Sequence, residues 1–254
     1  MNYFEISYTA LGGLAIFFLG LKYLSESLQS SGQEAIRRIL ASLTRNRVMA
    51  VLAGVGITVF VQSSSISTVM TVSLVNAGLM ELKQAIGVIL GANIGTTVTG
   101  WIISIKVGKY GLLLIALGMY PMFAAERQWL ATLGKTAVAL GMVFTGLEFM
   151  SGAFTPLRSD ETFISYLYLF DAESLISLLA CVVLACLLTV IVQSSSAMLG
   201  ITITLATTGV IDFNTAVALI IGENIGTTIT AQLAAIGANT SAIRAARAHA
   251  IFNI

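Results

Sequence analysis

The chain has 254 residues, 57% of them hydrophobic and 10% charged, with a formal net charge of +1. A soluble domain carries about 25% charged residues, so this chain cannot cover a water-facing surface and reads as an integral membrane protein. The near-neutral balance argues against nucleic-acid binding, and a single His249 beside two cysteines argues against a Cys/His metal centre.

Residues 8–28 form the first apolar segment. A bilayer core of about 30 Å needs roughly 20 apolar residues, so this segment is expected to cross. The stretch before it lacks a basic n-region, so the segment is not expected to be a cleaved leader. Lys22 and Glu26 sit four apart near its end and read as a pair snorkelling at the interface. Residues 31–47 are polar and arginine-rich, with Ile36, Ile39, Leu40 and Leu43 at helical spacing, which predicts an amphipathic helix on the membrane surface. Residues 48–80 are apolar except for Gln62-Ser63-Ser64-Ser65. Two arms of about 14 residues reach only about 21 Å each at 1.5 Å per residue, which predicts a re-entrant hairpin tipped by the serines. Non-helical backbone at that depth is tolerated only inside protein or beside water, so the tip should line a cavity.

Residues 82–105 read as a span interrupted by Gly91-Ala92-Asn93-Ile94-Gly95-Thr96-Thr97, and 110–125 as a shorter span. Residues 133–151 echo the first segment: Phe18-Leu19-Gly20-Leu21-Lys22-Tyr23 aligns with Phe144-Thr145-Gly146-Leu147-Glu148-Phe149. Residues 174–210 predict a second hairpin tipped by Gln193-Ser194-Ser195-Ser196, and 213–236 a second span interrupted by Gly222-Glu223-Asn224-Ile225-Gly226-Thr227-Thr228. Residues 242–254 begin a further helix. Cys181 and Cys186, five apart on one helix, point to different faces and should not pair.

The two motif sets are one duplication. Adding 131 to any position from Gln62 to Gly100 gives its partner without a gap, and sixteen of the thirty-nine pairs are identical. The chain therefore divides into a first repeat at 1–106, a linking helix at 107–132, a second repeat at 133–238 and the start of another helix at 239–254. With hairpins that do not cross, three spans separate the first helix from its echo. An odd number inverts the second copy, as in many secondary transporters. Nine basic residues then fall on one side (Arg37, Arg38, Arg45, Arg47, Lys83, Arg127, Lys135, Arg244 and Arg247) against Lys106, Lys109 and Arg158 on the other, which puts the first side in the cytoplasm. A single crossing by each hairpin segment would divide the charges identically and leave the repeats parallel. Arm length and the serine tips favour hairpins. The fold expected is an all-α polytopic membrane protein of two inverted-topology repeats, each with a re-entrant hairpin and an interrupted transmembrane helix.

Polar residues placed twice at membrane depth are a functional-site hypothesis. Ser63, Ser64 and Ser65 precede a fresh helical arm, where hydroxyls and free N–H groups make an anion cradle; Ser194, Ser195 and Ser196 supply another. The Gly-x-Asn-Ile-Gly-Thr-Thr breaks suit a cation, offering Asn93, Asn224, Thr96, Thr97, Thr227, Thr228 and unwound carbonyls as hard oxygen ligands, with Gln62 and Gln193 able to help either ion. No lysine or arginine lies in either motif, so bound cations would have to offset the anion. Against this stands the plainer role of Ser, Thr and Gly in membrane helices, bonding to backbone and packing closely. Two copies in register favour the functional reading. Glu223, opposite Ala92, reads as a cation ligand, a proton-titrating group or a carboxylate paired elsewhere. Trp101 and Trp129 read as interfacial anchors, and His249 with Arg244 and Arg247 as a cytoplasmic interface cluster.

The paired Gln-Ser-Ser-Ser motifs, each followed by Gly-x-Asn-Ile-Gly-Thr-Thr, resemble the type II sodium-dependent phosphate cotransporters, over 48–101 and 179–236 and the helices before them. Residues 245–253 are also similar to that family's stretch after the second repeat. The resemblance implies a bacterial, multi-pass inner-membrane protein that couples Na⁺ to uptake of inorganic phosphate by alternating access. It implies phosphate on Ser63, Ser64, Ser65, Ser194, Ser195 and Ser196, and Na⁺ served by Gln62, Gln193, Asn93, Asn224 and the threonines. Glu223 departs from the small residue expected there and joins the candidate Na⁺ set. No cofactor beyond the coupling ion and no catalytic residue is expected. The expected partners are phosphate, Na⁺ and the bilayer, with a homodimer left open. Another oxyanion, proton coupling or a passive anion channel are the alternatives on the same fold.

Overall fold

The computed structural model describes residues 3–42, 46–105, 110–160, 172 and 174–254, which are helical apart from short turns and links, with no strand among them. Helix α1 is Tyr3–Ser42, α2 Arg47–Val61, α3 Ser64–Asn76, α4 Leu82–Ser104, α5 Gly111–Ala124 and α6 Gln128–Phe154. After a 3₁₀ turn at Thr155–Ser159 come α7 Leu175–Val192, α8 Ser195–Thr207, α9 Phe213–Thr227, α10 Ile229–Ala234 and α11 Thr240–Asn253. Among the described residues five stretches are long and apolar enough to cross a membrane: Tyr3–Leu28, Leu82–Ser104, Gln128–Leu157, Leu175–Val192 and Phe213–Ala234.

The duplication is visible in the backbone. Gln62 and Gln193 are left-handed at φ 56° and 55°, Gly78 and Gly209 at 72° and 71°, and each pair lies 131 positions apart. Ser63 and Ser194 cap α3 and α8, each hydroxyl accepting an N–H, from Ile66 and Ala197 respectively, at 3.3 Å. Both capped helices are 13 residues long.

Small residues set the helix directions. A Cβ on Gly87 would meet Ala50, on Gly91 the carbonyl of Val51, and on Gly95 Thr58. Positions rise together along both chains, so α2 and α4 run parallel with their backbones in close approach. In the second copy Gly222 faces Val182 and Gly226 faces Cys186 and Thr189, so α7 and α9 are parallel too. A chain that runs parallel to itself after one short turn must have come back. Thr58 Oγ1 donates to Ser67 Oγ at 3.0 Å across nine residues, a stretch that an unbroken helix would extend by about 13 Å. Thus α2 and α3 fold back on each other at Gln62-Ser63.

The first helix and its echo pack antiparallel. Gly13 lies on Gly146 and Phe149, and Gly20 on Ala139 and Val143. Further along, the Ser27 hydroxyl is 2.8 Å from that of Thr136. Phe17, Ile103, Val143 and Ala197 form the cluster where α1, α4, α6 and α8 meet.

Two expectations are corrected. The first span and the amphipathic helix are one continuous helix, α1, through Ser42: no proline interrupts 29–42 and Ser31-Gly32 does not end it; residues 43–45 lie outside the described residues. Helix α4 is unbroken through Asn93–Thr97: its glycines serve close packing against α2 rather than unwinding. In the second copy the expected interruption is present: the helix breaks at Thr228, the last residue of the motif. Helix α5, 14 residues or about 21 Å long, matches the shorter apolar segment expected there.

Candidate functional site

Gln62 to Ile66 and Gln193 to Ser196 line a single cavity of about 290 Å³. The two fold-backs therefore bring their tips together, although 131 positions separate them. Ser63 and Ser194 spend their oxygens on capping, which leaves Ser64, Ser65, Ser195 and Ser196 in the first turns of α3 and α8 with free-standing helix N-termini behind them. Gln62 is held at both ends of its amide: Nε2 donates to Val59 O at 2.5 Å, and Oε1 accepts from Thr99 Oγ1 at 3.1 Å. Gln193 is exposed on the cavity wall.

Four residues from α1 complete the wall: Phe18, Leu21, Lys22 and Ser25. Motif reasoning missed Lys22 and Ser25, because nothing in the sequence says that α1 passes the tips. Ser25 Oγ donates to Val61 O at 2.7 Å, which fixes the level at which it passes. Lys22 pairs loosely with Glu26 at 3.9 Å.

A second cavity of about 460 Å³ holds Asn93, Thr96, Thr97, Asn224 and Glu223, with Ser195 shared between the two. The carboxylate of Glu223 is 2% exposed and accepts from Thr202 Oγ1. Thr227 and Thr228 line neither cavity; their hydroxyls donate to Glu223 O at 2.8 Å and Ile225 O at 2.7 Å within their own helix. Thr96 and Thr97 likewise donate to Ala92 O and Ile94 O, yet stand on the cavity wall. With α4 unbroken, that side of the cavity offers side-chain oxygens rather than freed carbonyls.

Asn93 is oriented from α11. His249 is fully buried, and its Nε2 lies 3.1 Å from Asn93 Oδ1, an acceptor, so this nitrogen carries the proton. Asn93 Nδ2 donates to Asn253 Oδ1 at 3.1 Å, and Asn253 Nδ2 to His249 O at 2.8 Å. This corrects the expectation of an interface cluster: Arg244 and Arg247 are exposed, whereas His249 points inward from the opposite face of α11. Asn253 also lines the second cavity. A third cavity, about 350 Å³, adjoins the second through Ser104 and Ile203 and contains Glu148, Ser151 and Thr207.

Among the described residues no disulfide joins Cys181 to Cys186 and no His/Cys/Asp/Glu cluster of metal-holding size occurs.

A model of the Na⁺/Pi-cotransporter family matches residues 16–152 and 167–253. Among curated relatives, "Uncharacterized protein YqeW" of Bacillus subtilis is 32% identical over 98% of this chain and 79% of its own length. "Putative inorganic phosphate export protein YjbB" of Escherichia coli is 27% identical over 96% of this chain but 44% of its own. "Sodium-dependent phosphate transport protein 2A" of Rattus norvegicus is 40% identical over 97 residues, 37% of this chain and 15% of its own. No solved structure matches.

Proposed function

The chain belongs to the Na⁺/Pi-cotransporter family, and we propose that it is a secondary active transporter that carries inorganic phosphate into the cell with Na⁺. The observation that carries this reading is the meeting of both serine clusters in one cavity. Phosphate would sit between Ser63 to Ser65 and Ser194 to Ser196, facing N–H groups and hydroxyls from two helix N-termini. Na⁺ would be held in the adjoining cavity by Asn93, Asn224, Thr96, Thr97 and Glu223, with Gln62 and Gln193 between the two ions. Thr227 and Thr228 hold the backbone there rather than the ion.

The two repeats, 1–106 and 133–238, are read as inverted and their fold-backs as re-entrant. The antiparallel packing of α1 on α6 and the parallel pairs α2–α4 and α7–α9 support this. An anion at bilayer depth has a desolvation cost of several kcal/mol, and coupled cations offset it. Each elementary charge moved through 100 mV is worth about 2.3 kcal/mol, so extra Na⁺ per phosphate concentrates phosphate inside. A multi-pass inner-membrane location follows.

Uptake of labelled phosphate into proteoliposomes with an inward Na⁺ gradient tests this. Accumulation above the outside concentration, abolished when the gradient is collapsed, is the expected result. Equilibration that ignores Na⁺ indicates a passive channel and overturns it. The match to a relative named for phosphate export favours a second reading on the same site, with net flow outward. Loading phosphate inside and reversing the Na⁺ gradient separates the two.

A further inference from the structure

We infer that Lys22 is a phosphate ligand: its ammonium supplies part of the positive charge that neutralises the anion between the serine tips. The inference rests on the phosphate-transport reading and deepens it. Neither motif contains a basic residue, so cations from solution were the sole counter-charge that the motifs themselves could offer. Helix α1 changes this. Lys22 lines the cavity formed by Gln62 to Ser65 and Gln193 to Ser196, and among the described residues it is the one cationic side chain on that wall.

Its level is fixed independently of the cavity. Ser25, on the next turn of α1, donates to the carbonyl of Val61, the last residue of α2 before the tip. Lys22 therefore stands at the level of the tip, which on the re-entrant reading lies within the bilayer rather than at its surface. A lysine facing lipid at that depth is expensive; one facing a water-filled anion site is not. Its side chain is 66% exposed, as an open cavity allows, and is not locked elsewhere. The 3.9 Å to Glu26 is an ion-pair distance too long for a hydrogen bond, so the ammonium can turn to a phosphate oxygen and leave Glu26 to water. The echo of Lys22 in the second repeat is Glu148, which lines the third cavity, where no serine cluster lies. Positive charge goes with the anion cradle, and its equivalent position elsewhere carries the opposite sign.

Equilibrium binding of labelled inorganic phosphate to the purified full chain tests this, in detergent free of phospholipid so that lipid headgroups cannot compete, across a Na⁺ titration. Lys22→Gln is expected to raise the phosphate Kd at least about tenfold, the factor that losing a charge-assisted hydrogen bond carries. It should also steepen the dependence on Na⁺, since neutralisation then falls on Na⁺ alone. Lys22→Arg should stay within severalfold of wild type. Glu26→Gln, which frees the ammonium, should tighten binding. Wild-type Kd and Na⁺ dependence in Lys22→Gln overturns the inference and leaves the transport reading standing. If Lys22→Gln does not fold, unchanged or weaker binding in Glu26→Gln overturns it. Wild-type protein that binds no phosphate sinks the transport reading and this inference with it. Phosphate binding that reappears for Lys22→Gln only in phospholipid assigns the lysine to headgroups and also overturns it.

Discussion

Gln62 and Gln193 occupy left-handed backbone, at φ 56° and 55°, a conformation that costs a residue with a side chain about 1–2 kcal/mol. Glycine would relieve that strain but could not reach Val59 and Thr99 as Gln62 does. The amide is thus kept where the chain turns, and the hydrogen bonds offset the strain. One turn before each tip the copies diverge. Thr58 Oγ1 donates to Ser67 Oγ, whereas in the second copy the counterpart of Ser67 is Met198 and the buried hydroxyl of the equivalent Thr189 has no partner. A buried hydroxyl left unpaired costs about 1–3 kcal/mol, and replacing it by an apolar group of the same shape is neutral or stabilising. Thr189→Val is therefore expected to hold or raise the melting temperature in detergent. Thr58→Val should lower stability by about 1 kcal/mol, a typical net hydrogen-bond contribution. Equal losses in both variants would show that the two hydroxyls are alike after all.

At the level of helices, the glycines of the two motifs are contact surfaces. A Cβ on Gly91 would run into the carbonyl of Val51, and one on Gly222 into that of Val182. Gly91→Ala and Gly222→Ala should each cost about 1–3 kcal/mol by forcing paired helices apart. Gly56, with nothing within 4 Å of its Cβ position, is the control: Gly56→Ala should be neutral or gain up to about 1 kcal/mol in helix propensity. Thermal unfolding of the purified variants reads all three. The same glycines explain what the sequence could and could not disclose. The fold-back at Gln62-Ser63 and the two arms that flank it were legible, because a polar tetrapeptide between two short apolar arms has few other solutions. The supposed interruption at Asn93–Thr97 was not, since glycine and threonine signal an unwound helix and a tightly packed one with the same letters. Only the partner decides, and Gly87, Gly91 and Gly95 share one face against α2. His249 is hidden for a similar reason: the neighbouring Arg244 and Arg247, which are exposed, suggest a charged surface. Which face of α11 meets Asn93 depends on tertiary packing that no local pattern encodes.

Across the whole molecule, the tip cavity, the Asn93–Glu223 cavity and the Glu148 cavity share walls in sequence, through Ser195 and then through Ser104 and Ile203. On the inverted reading this string leads from mid-depth toward the outer face, because α4, α6 and α8 all end at its Glu148 end. Inversion itself has a geometric test. If the fold-backs are re-entrant and the repeats inverted, the open ends of the two hairpins lie on opposite sides of the membrane. If each hairpin segment crosses, both ends lie on the same side. Ala77 caps α3, and Thr207 ends α8; each is exposed. In a background with Cys181 and Cys186 replaced by alanine, Ala77→Cys should react with a membrane-impermeant maleimide only from the cytoplasmic side. Thr207→Cys should react only from outside, and saturating phosphate with Na⁺ should slow it if closure of the Glu148 cavity accompanies transport. Labelling of both from one side would make the repeats parallel. It would also leave the two serine clusters approaching from the same face, and the symmetry that lets one site open alternately to each side would be gone.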